Sequence, residues 1–189
     1  MNFLATRRAG FLACFFLLAL ANCGGGGGDG EDSGGLVAVF TPNCTSGDPC
    51  YSGSVTLQPG GGSGSTFEVD VVLNKLNTVI GAAGLRVSFD PTKVEYQNFV
   101  KGTALGTGAG TNYIVTPKSG EIEVSIAVPA GKSISSADVL VILLFKAREA
   151  GTSSLSFLDT NIVDGSALYR IDGSVIVPVA WSGGLATAS

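Results

Sequence analysis

The 189-residue chain contains no histidine and a single tryptophan, and only 14% of its residues are charged. The missing histidine excludes serine–histidine–aspartate hydrolysis, cysteine–histidine proteolysis and histidine-rich zinc sites, which all need an imidazole. The formal net charge is −4 and no basic cluster is present, so nucleic acid is not expected as a partner. Hydrophobic residues make up 45% of the chain, which is therefore not a disordered polyelectrolyte.

The first 22 residues have the composition of a secretory signal peptide. Arg7 and Arg8 form a positive n-region, and residues 9–21 form an uncharged run rich in Phe, Leu and Ala. This run is too short to cross a bilayer as a helix, which needs about 20 apolar residues. We therefore predict that residues 1–22 are an export signal and are absent from the mature chain.

Two cleavage sites fit the end of this signal. Residues 20–23 (Leu-Ala-Asn-Cys) resemble the lipobox of bacterial lipoproteins, in which the cysteine is lipidated and becomes the first mature residue, although Asn22 is larger than usual there. The alternative is an Ala-Leu-Ala site at residues 19–21. Cysteine parity favours lipidation of Cys23, because the two cysteines that remain then form a pair. We predict an outer-membrane lipoprotein of the bacterial cell envelope that reaches the membrane through its lipid anchor only.

A tether and a short extension follow the lipidated cysteine. Residues 23–35 are rich in glycine and are predicted to be flexible, and residues 36–53 form an N-terminal extension with a short strand at 36–40. Cys44 and Cys50 enclose a Gly-Asp-Pro turn, which a disulfide can close in an oxidising compartment. Metal ligation is the alternative, but two thiols with no histidine and no second cysteine pair cannot complete a zinc site. We predict the disulfide, no metal site and no cofactor.

From residue 54 to residue 180 the pattern is one of short strands separated by turns. In residues 67–73 and 122–128 apolar side chains occupy every second position, which is typical of half-buried strands. Residues 139–147 are nearly all apolar, which indicates a central strand covered on both faces. No segment has a convincing helical period. The predicted fold is all-β, an antiparallel sandwich or barrel, with a flexible tail over residues 181–189.

Two stretches in particular resemble a bacterial cohesin domain. They are residues 83–94 (Ala-Gly-Leu-Arg-Val-Ser-Phe-Asp-Pro-Thr-Lys-Val) and residues 137–147 (Ala-Asp-Val-Leu-Val-Ile-Leu-Leu-Phe-Lys-Ala). The resemblance covers about residues 54–179 and implies an antiparallel jelly-roll sandwich of about nine strands. Cohesins bind calcium-loaded dockerin modules and are not enzymes, and some families of carbohydrate-binding modules share their fold.

The resemblance also implies a docking face, made in cohesins from the third, fifth, sixth and eighth strands. We assign the third strand to residues 85–89, the sixth to 121–128 and the eighth to 139–147. The predicted partner-binding residues are the outward-facing ones on these strands: Arg86, Ser88, Glu121, Glu123, Leu140, Ile142 and Leu144. The three large apolar side chains among them are either a stripe that binds a partner or a surface that another segment, such as residues 36–40, covers.

Other chemistry is weaker in the sequence. Residues 159–165 resemble a calcium loop, but their spacing is wrong for an EF-hand, so a turn is expected. Glu121 and Glu123 lie about 6.5–7 Å apart by strand rise, as glycosidase carboxylates do, but the sequence indicates no cleft. The leading hypothesis is a non-catalytic, lipid-anchored module that binds an exported, dockerin-like protein. The alternatives are a carbohydrate-binding module for polysaccharide and a structural envelope lipoprotein.

Overall fold

The computed structural model describes residues 35–106 and 110–189, which build two packed β-sheets. These residues contain twelve strands, a short 3-10 turn at Pro49–Tyr51 and no α-helix. The strands are β1 (Ala38–Pro42), β2 (Ser54–Ser63), β3 (Thr66–Asn74), β4 (Val79–Ser88), β5 (Val94–Lys101), β6 (Asn112–Lys118), β7 (Glu121–Ser133), β8 (Asp138–Ala147), β9 (Gly151–Phe157), β10 (Ala167–Tyr169), β11 (Ala180–Ser182) and β12 (Gly184–Ala188).

The larger sheet has seven strands and the smaller sheet has five. The larger has the order β1-β12-β9-β4-β7-β6, with β10 also paired to β4, and the smaller has the order β11-β2-β3-β8-β5. Neighbouring strands are antiparallel except for the parallel pair β11 and β2. The predicted all-β jelly-roll sandwich is confirmed. There are twelve strands rather than about nine, because β1 and β12 flank the predicted domain and β10 pairs separately with β4.

The core lies between the sheets and is filled by the apolar side chains that the alternating pattern predicts to face inward. On β3 the side chains of Phe67, Val69 and Val71 are buried, and on β7 those of Ile122, Val124 and Ile126. A cluster of aromatic side chains lies in the core, between β3 and β8 of the smaller sheet and the residue that follows β4. The ring of Phe145 stacks on Phe67 at 5.5 Å between centroids and meets the ring of Phe89 edge-on at 5.6 Å. Such pairs add to the free energy gained from apolar burial.

The two ends of the described chain meet in the seven-stranded sheet. The prediction of a flexible tail at residues 181–189 is wrong, because these residues complete β11 and form β12. β12 pairs with β9 on one side and with β1 on the other. Val37 and Ser189 exchange two backbone hydrogen bonds of 2.9 and 3.1 Å. The small residues of this segment suggest a flexible tail, but the strand β12 needs small residues where it packs against the rest of the sheet.

Phe40 explains this need for small residues. Its side chain is 5% exposed and belongs to the core. A Cβ atom at Gly184 would lie 2.3 Å from Phe40 Cζ, so a glycine is required beneath the ring. Ala186, the register partner of Phe40, is buried in the same core. β1 is therefore part of the sandwich rather than a loose extension.

Within residues 35–106 and 110–189, no helix is long and apolar enough to cross a membrane. The predicted signal peptide, the predicted lipidation of Cys23 and most of the predicted tether lie outside the described residues. They stay predictions.

Candidate functional site

A shallow depression of about 490 Å³ lies on the outer face of the seven-stranded sheet. Small side chains form its floor at paired positions of β4 and β7, where Ala82 lies opposite Ala127 and Gly84 opposite Ser125. These positions alternate with buried residues of the same strands, so their side chains face outward. A floor of this kind lets the backbone of another molecule come close to the sheet.

Larger side chains border this floor. On β6, Ile114 lies opposite Ser125 and is 66% exposed. On the other side, Tyr169 of β10 lies beside the floor and is the one aromatic residue that lines the depression in the described chain. The loop between β9 and β10, residues 158–166, reaches the rim with Asp164 and Gly165. The depression is thus bounded by Asn112 and Ile114 of an edge strand on one side and by Tyr169 and a loop on the other.

Arg86 lies at one end of the depression in a network of ion pairs. Its guanidinium donates to both carboxylate oxygens of Glu121, at 2.6 and 3.2 Å, and its Nε lies 3.8 Å from Glu123 Oε1. Its Nη1 pairs with Asp159 Oδ2, and Lys118 pairs with Glu123. The side-chain hydrogen bond between Arg86 and Glu121 lowers the pKa of Glu121 and raises the pKa of Arg86. Both side chains therefore stay ionised at neutral pH and hold each other in place.

Four of the seven predicted partner-binding residues come together on this face. Arg86 is paired with Glu123 across β4 and β7, and Ser88 is paired with Glu121. All four are half-buried and point outward. The sequence therefore placed these four side chains on one outer face correctly, and their contact with a partner stays a prediction.

The three predicted residues of β8 do not join this face, because β8 lies in the other sheet between β3 and β5. The error is one of counting. From β2 onward, β8 is the seventh strand and β9 the eighth. The third, fifth, sixth and eighth strands are then β4, β6, β7 and β9, which are neighbours in the seven-stranded sheet.

The side chains of β8 also differ from the prediction in one position. Leu140, expected to face outward, is completely buried, because a bulge lets β8 carry one extra residue against β3 at this point. Ile142 and Leu144 do face outward and are half-buried, but on the opposite side of the molecule. Residues 36–40 do not cover them, since β1 belongs to the seven-stranded sheet.

A carboxylate lies beside Ile142 on that opposite side. Asp70 is its register partner on β3, and Asp70 Oδ1 is buried with no hydrogen-bond partner in the described residues. Burial, and then the charge of Glu68, raises the pKa of Asp70. This surface therefore carries a carboxylate that is unfavourable when it is ionised.

The predicted disulfide is confirmed, and the loop that resembles a calcium site is a turn. Cys44 and Cys50 are joined, and with Asp48 they are the one cluster of three potential metal ligands found in residues 35–106 and 110–189. Asp159 pairs with Arg86. The side-chain amide of Asn161 donates to Val179 O at 2.9 Å, and its oxygen accepts from Trp181 Nε1 at 3.0 Å. The side chains of Asp159 and Asn161 therefore attach the turn to neighbouring parts of the sandwich.

Sequence reasoning missed Ile114 and Tyr169, which border the depression, and the apolar pair in the loop beside it. Ile162 and Val163 are exposed in the middle of a polar turn, where an apolar pair between Asn and Asp is itself a signal. Ile114 sits on an edge strand, and its outward position follows from the buried or half-buried residues on either side of it. Tyr169 gave no such signal, since its place beside the floor depends on the pairing of β10 with β4.

Comparisons with known proteins agree with this architecture. A family model described as the cohesin domain matches residues 54–177. A comparison with curated proteins produced no match. Among solved structures, a non-cellulosomal cohesin from the archaeon Archaeoglobus fulgidus is 21% identical, with a TM-score of 0.51 over 69% of this chain and 88% of that one.

Two structures from Acetivibrio cellulolyticus are similar in the same way. A type II cohesin domain from its cellulosome is 17% identical, with a TM-score of 0.56 over 69% of this chain and 93% of that one. The sixth cohesin of its scaffoldin B, solved in complex with a mutant Cel5 dockerin, is 22% identical, with a TM-score of 0.53 over 70% of this chain and 96% of that one. At these identities the structures show a shared fold. Because the family model spans well over half of its length, the chain belongs to the cohesin domain family.

Proposed function

We propose that this chain is a non-catalytic, exported binding module that docks a dockerin-like protein on the outer face of β9, β4, β7 and β6. The observation that carries the proposal is the floor of Ala82, Gly84, Ser125 and Ala127, which is bordered by the exposed side chain of Ile114 and by the ring of Tyr169. Side chains this small let a helix lie close to the sheet, as in helix-in-groove recognition.

The position of the depression supports the same assignment. The depression lies on β4, β7 and β6, which are the third, sixth and fifth strands of the cohesin region, and β9, the eighth, is the next strand in the same sheet. These four strands form the docking face that the family resemblance implies. One of the similar cohesins was solved in complex with a dockerin. The face offers one aromatic ring in the described residues rather than a planar row, so a protein partner suits it better than a polysaccharide surface.

The proposal includes anchoring of the exported chain in the bacterial cell envelope through lipidated Cys23. It is supported by the signal-like residues 1–22, the lipobox-like residues 20–23 and the pairing of the other two mature cysteines in a disulfide. Intact mass of the protein isolated from membranes tests it. A mature chain that begins at Cys23 with acyl mass supports the anchor, and an unmodified chain that begins at Asn22 contradicts it.

Affinity capture tests the docking function. We would immobilise the mature chain, residues 23–189, and pass over it the exported proteins of the source cell, first with calcium and then with a chelator. Ser125→Trp fills the floor of the depression with an indole. Gln97→Trp is the matched control, because it places the same side chain at an exposed position of β5 in the other sheet.

The expected partner is held only with calcium, carries paired calcium loops and binds the Gln97→Trp chain normally. Ser125→Trp should weaken binding by about 30-fold or more, as expected when the centre of an interface is blocked. Retention of no protein would contradict the docking function. Equal retention by both variants would show that the partner binds elsewhere.

A further inference from the structure

We propose that the loop of residues 158–166 is a preformed apolar clamp, that its tip residues Ile162 and Val163 contact the docked partner, and that Arg86 is the residue that positions it. This inference rests on the proposed docking function and names the residues of that site that determine specificity. It gives Arg86 a different role from the predicted one, because Arg86 acts through the loop rather than by touching the partner.

The tip of the loop is apolar and exposed. Ile162 is 53% exposed and Val163 is 65% exposed, although polar residues surround them in the sequence. The next two residues, Asp164 and Gly165, line the depression. Two adjacent apolar side chains kept in water beside a candidate binding floor have no packing role within the described residues, and a partner would bury them.

The loop is held rigidly despite its exposure. Ser166 N donates to the carbonyls of Leu158 and Asp159, and Asn161 N donates to Ser166 O at 2.7 Å. The Asn161 side chain is fixed to Val179 and Trp181. A Cβ at Gly165 would lie 2.0 Å from Asp159 O, so the turn closes tightly on itself. A loop ordered in advance loses little conformational entropy on binding, which favours affinity.

Arg86 contacts both ends of this loop. Its carbonyl accepts from Leu158 N at 2.8 Å and from Ser166 Oγ at 3.2 Å, and its backbone N–H donates to Ser166 Oγ at 3.0 Å. Its guanidinium joins Asp159 of the loop to Glu121 of β7. The backbone bonds would survive a substitution at Arg86, whereas the ion pair would not. The ion pair is therefore what the side chain of Arg86 adds to these bonds, a link between Asp159 of the loop and Glu121 of β7 that limits the motion of the loop relative to the floor.

The charges around the clamp define the chemistry of the partner. Three carboxylates, those of Glu121, Glu123 and Asp159, pair with two cations. Asp164 on the rim of the depression is a fourth carboxylate, so these six groups carry a net charge of −2. The cations are Arg86 and Lys118. The occupant that fits is a helix of the dockerin-like module that presents apolar side chains to the tip and a Lys or Arg beside them.

Spin labelling tests the positioning role on the chain alone. A nitroxide at Val163→Cys reports the motion of the tip, and one at Val100→Cys on β5 is the control, both in a mature chain with Cys23→Ser. Arg86→Gln should make the label at position 163 clearly more mobile in its electron paramagnetic resonance spectrum and leave the label at position 100 unchanged. Asp159→Asn should reproduce the effect. An unchanged spectrum at position 163 in both variants would overturn the positioning role.

Binding tests the contact role, with the calcium-loaded dockerin module recovered by capture as the probe. Ile162→Ser combined with Val163→Ser should weaken binding about tenfold or more, mainly through faster dissociation, with an unchanged melting temperature. The control Val100→Ser removes an exposed apolar side chain from the other sheet and should bind normally. Asp164→Lys should slow association. Normal binding by the double variant, or faster association with Asp164→Lys, would overturn the proposal. Failure of the capture would instead count against the docking function, while the spin labels still decide the role of Arg86.

Discussion

Replacing Phe40 by alanine should destabilise the whole sandwich, although Phe40 lies outside the segment that matches the cohesin family model. Phe40 is only 5% exposed, so its ring is almost completely buried. Truncation of a buried phenylalanine costs about 3–5 kcal/mol of unfolding free energy. The vacated space lies over Gly184, which has no side chain to fill it. We therefore expect a loss of about 4 kcal/mol, which for a domain of this size lowers Tm by about 8–16 °C.

The matched control is Val39→Ala on the same strand. Val39 faces solvent and is 58% exposed, so its truncation should cost about 0.5 kcal/mol or less. Urea denaturation followed by fluorescence of Trp181 measures both variants, since Trp181 lies on β11 and stacks edge-on against Phe157 at 5.0 Å between centroids. If Phe40→Ala loses no more than Val39→Ala, β1 does not contribute to the core and the reasoning is refuted.

Three further predictions concern other parts of the molecule. Reduction of the Cys44–Cys50 disulfide should lower the unfolding free energy by about 2 kcal/mol in denaturant titrations, and coincident transitions with and without reductant would contradict this. Because the pKa of Asp70 is raised in the folded state, its ionised form destabilises the fold above that pKa, and this penalty disappears as the pH falls through it. Asp70→Asn should therefore gain stability at pH 7 relative to the unmodified chain and gain none near pH 3; an equal difference at both values would be inconsistent with the shift. Ile142→Asp should lower Tm and leave dockerin capture unchanged, whereas lost capture with normal melting would restore β8 to the docking surface.

The strand pattern could be predicted where one face of a strand is buried. The alternation in residues 67–73 and 122–128 placed the core side chains of β3 and β7 correctly, and that of β7 also placed Glu121 and Glu123 outside. A period of two fixes the face of a side chain relative to its neighbours along the strand. It does not fix which sheet the strand joins. That depends on the position of the strand in the topology, and residues 139–147 are the seventh strand of the cohesin region rather than the eighth.

Two features depended on interactions that a local pattern does not contain. The bulge that buries Leu140 arises from the pairing of β8 with β3, so alternation within β8 alone gave the wrong direction. The strand β12 is made of Gly, Ala, Thr and Leu, a composition that predicts a loose tail. It is ordered because small residues are needed opposite Phe40, and Phe40 lies far away in the sequence.

The hydrogen bonds between Val37 and Ser189 make the topology nearly a closed ring. A linker of a few residues could join these positions, and the chain could be reopened at the exposed turn of Glu149 and Ala150 between β8 and β9 without removing a strand. Circular permutants of this kind should therefore keep the sandwich. The same closeness means that a segment fused after Ser189 would begin beside Val37, at the edge of the seven-stranded sheet formed by β1.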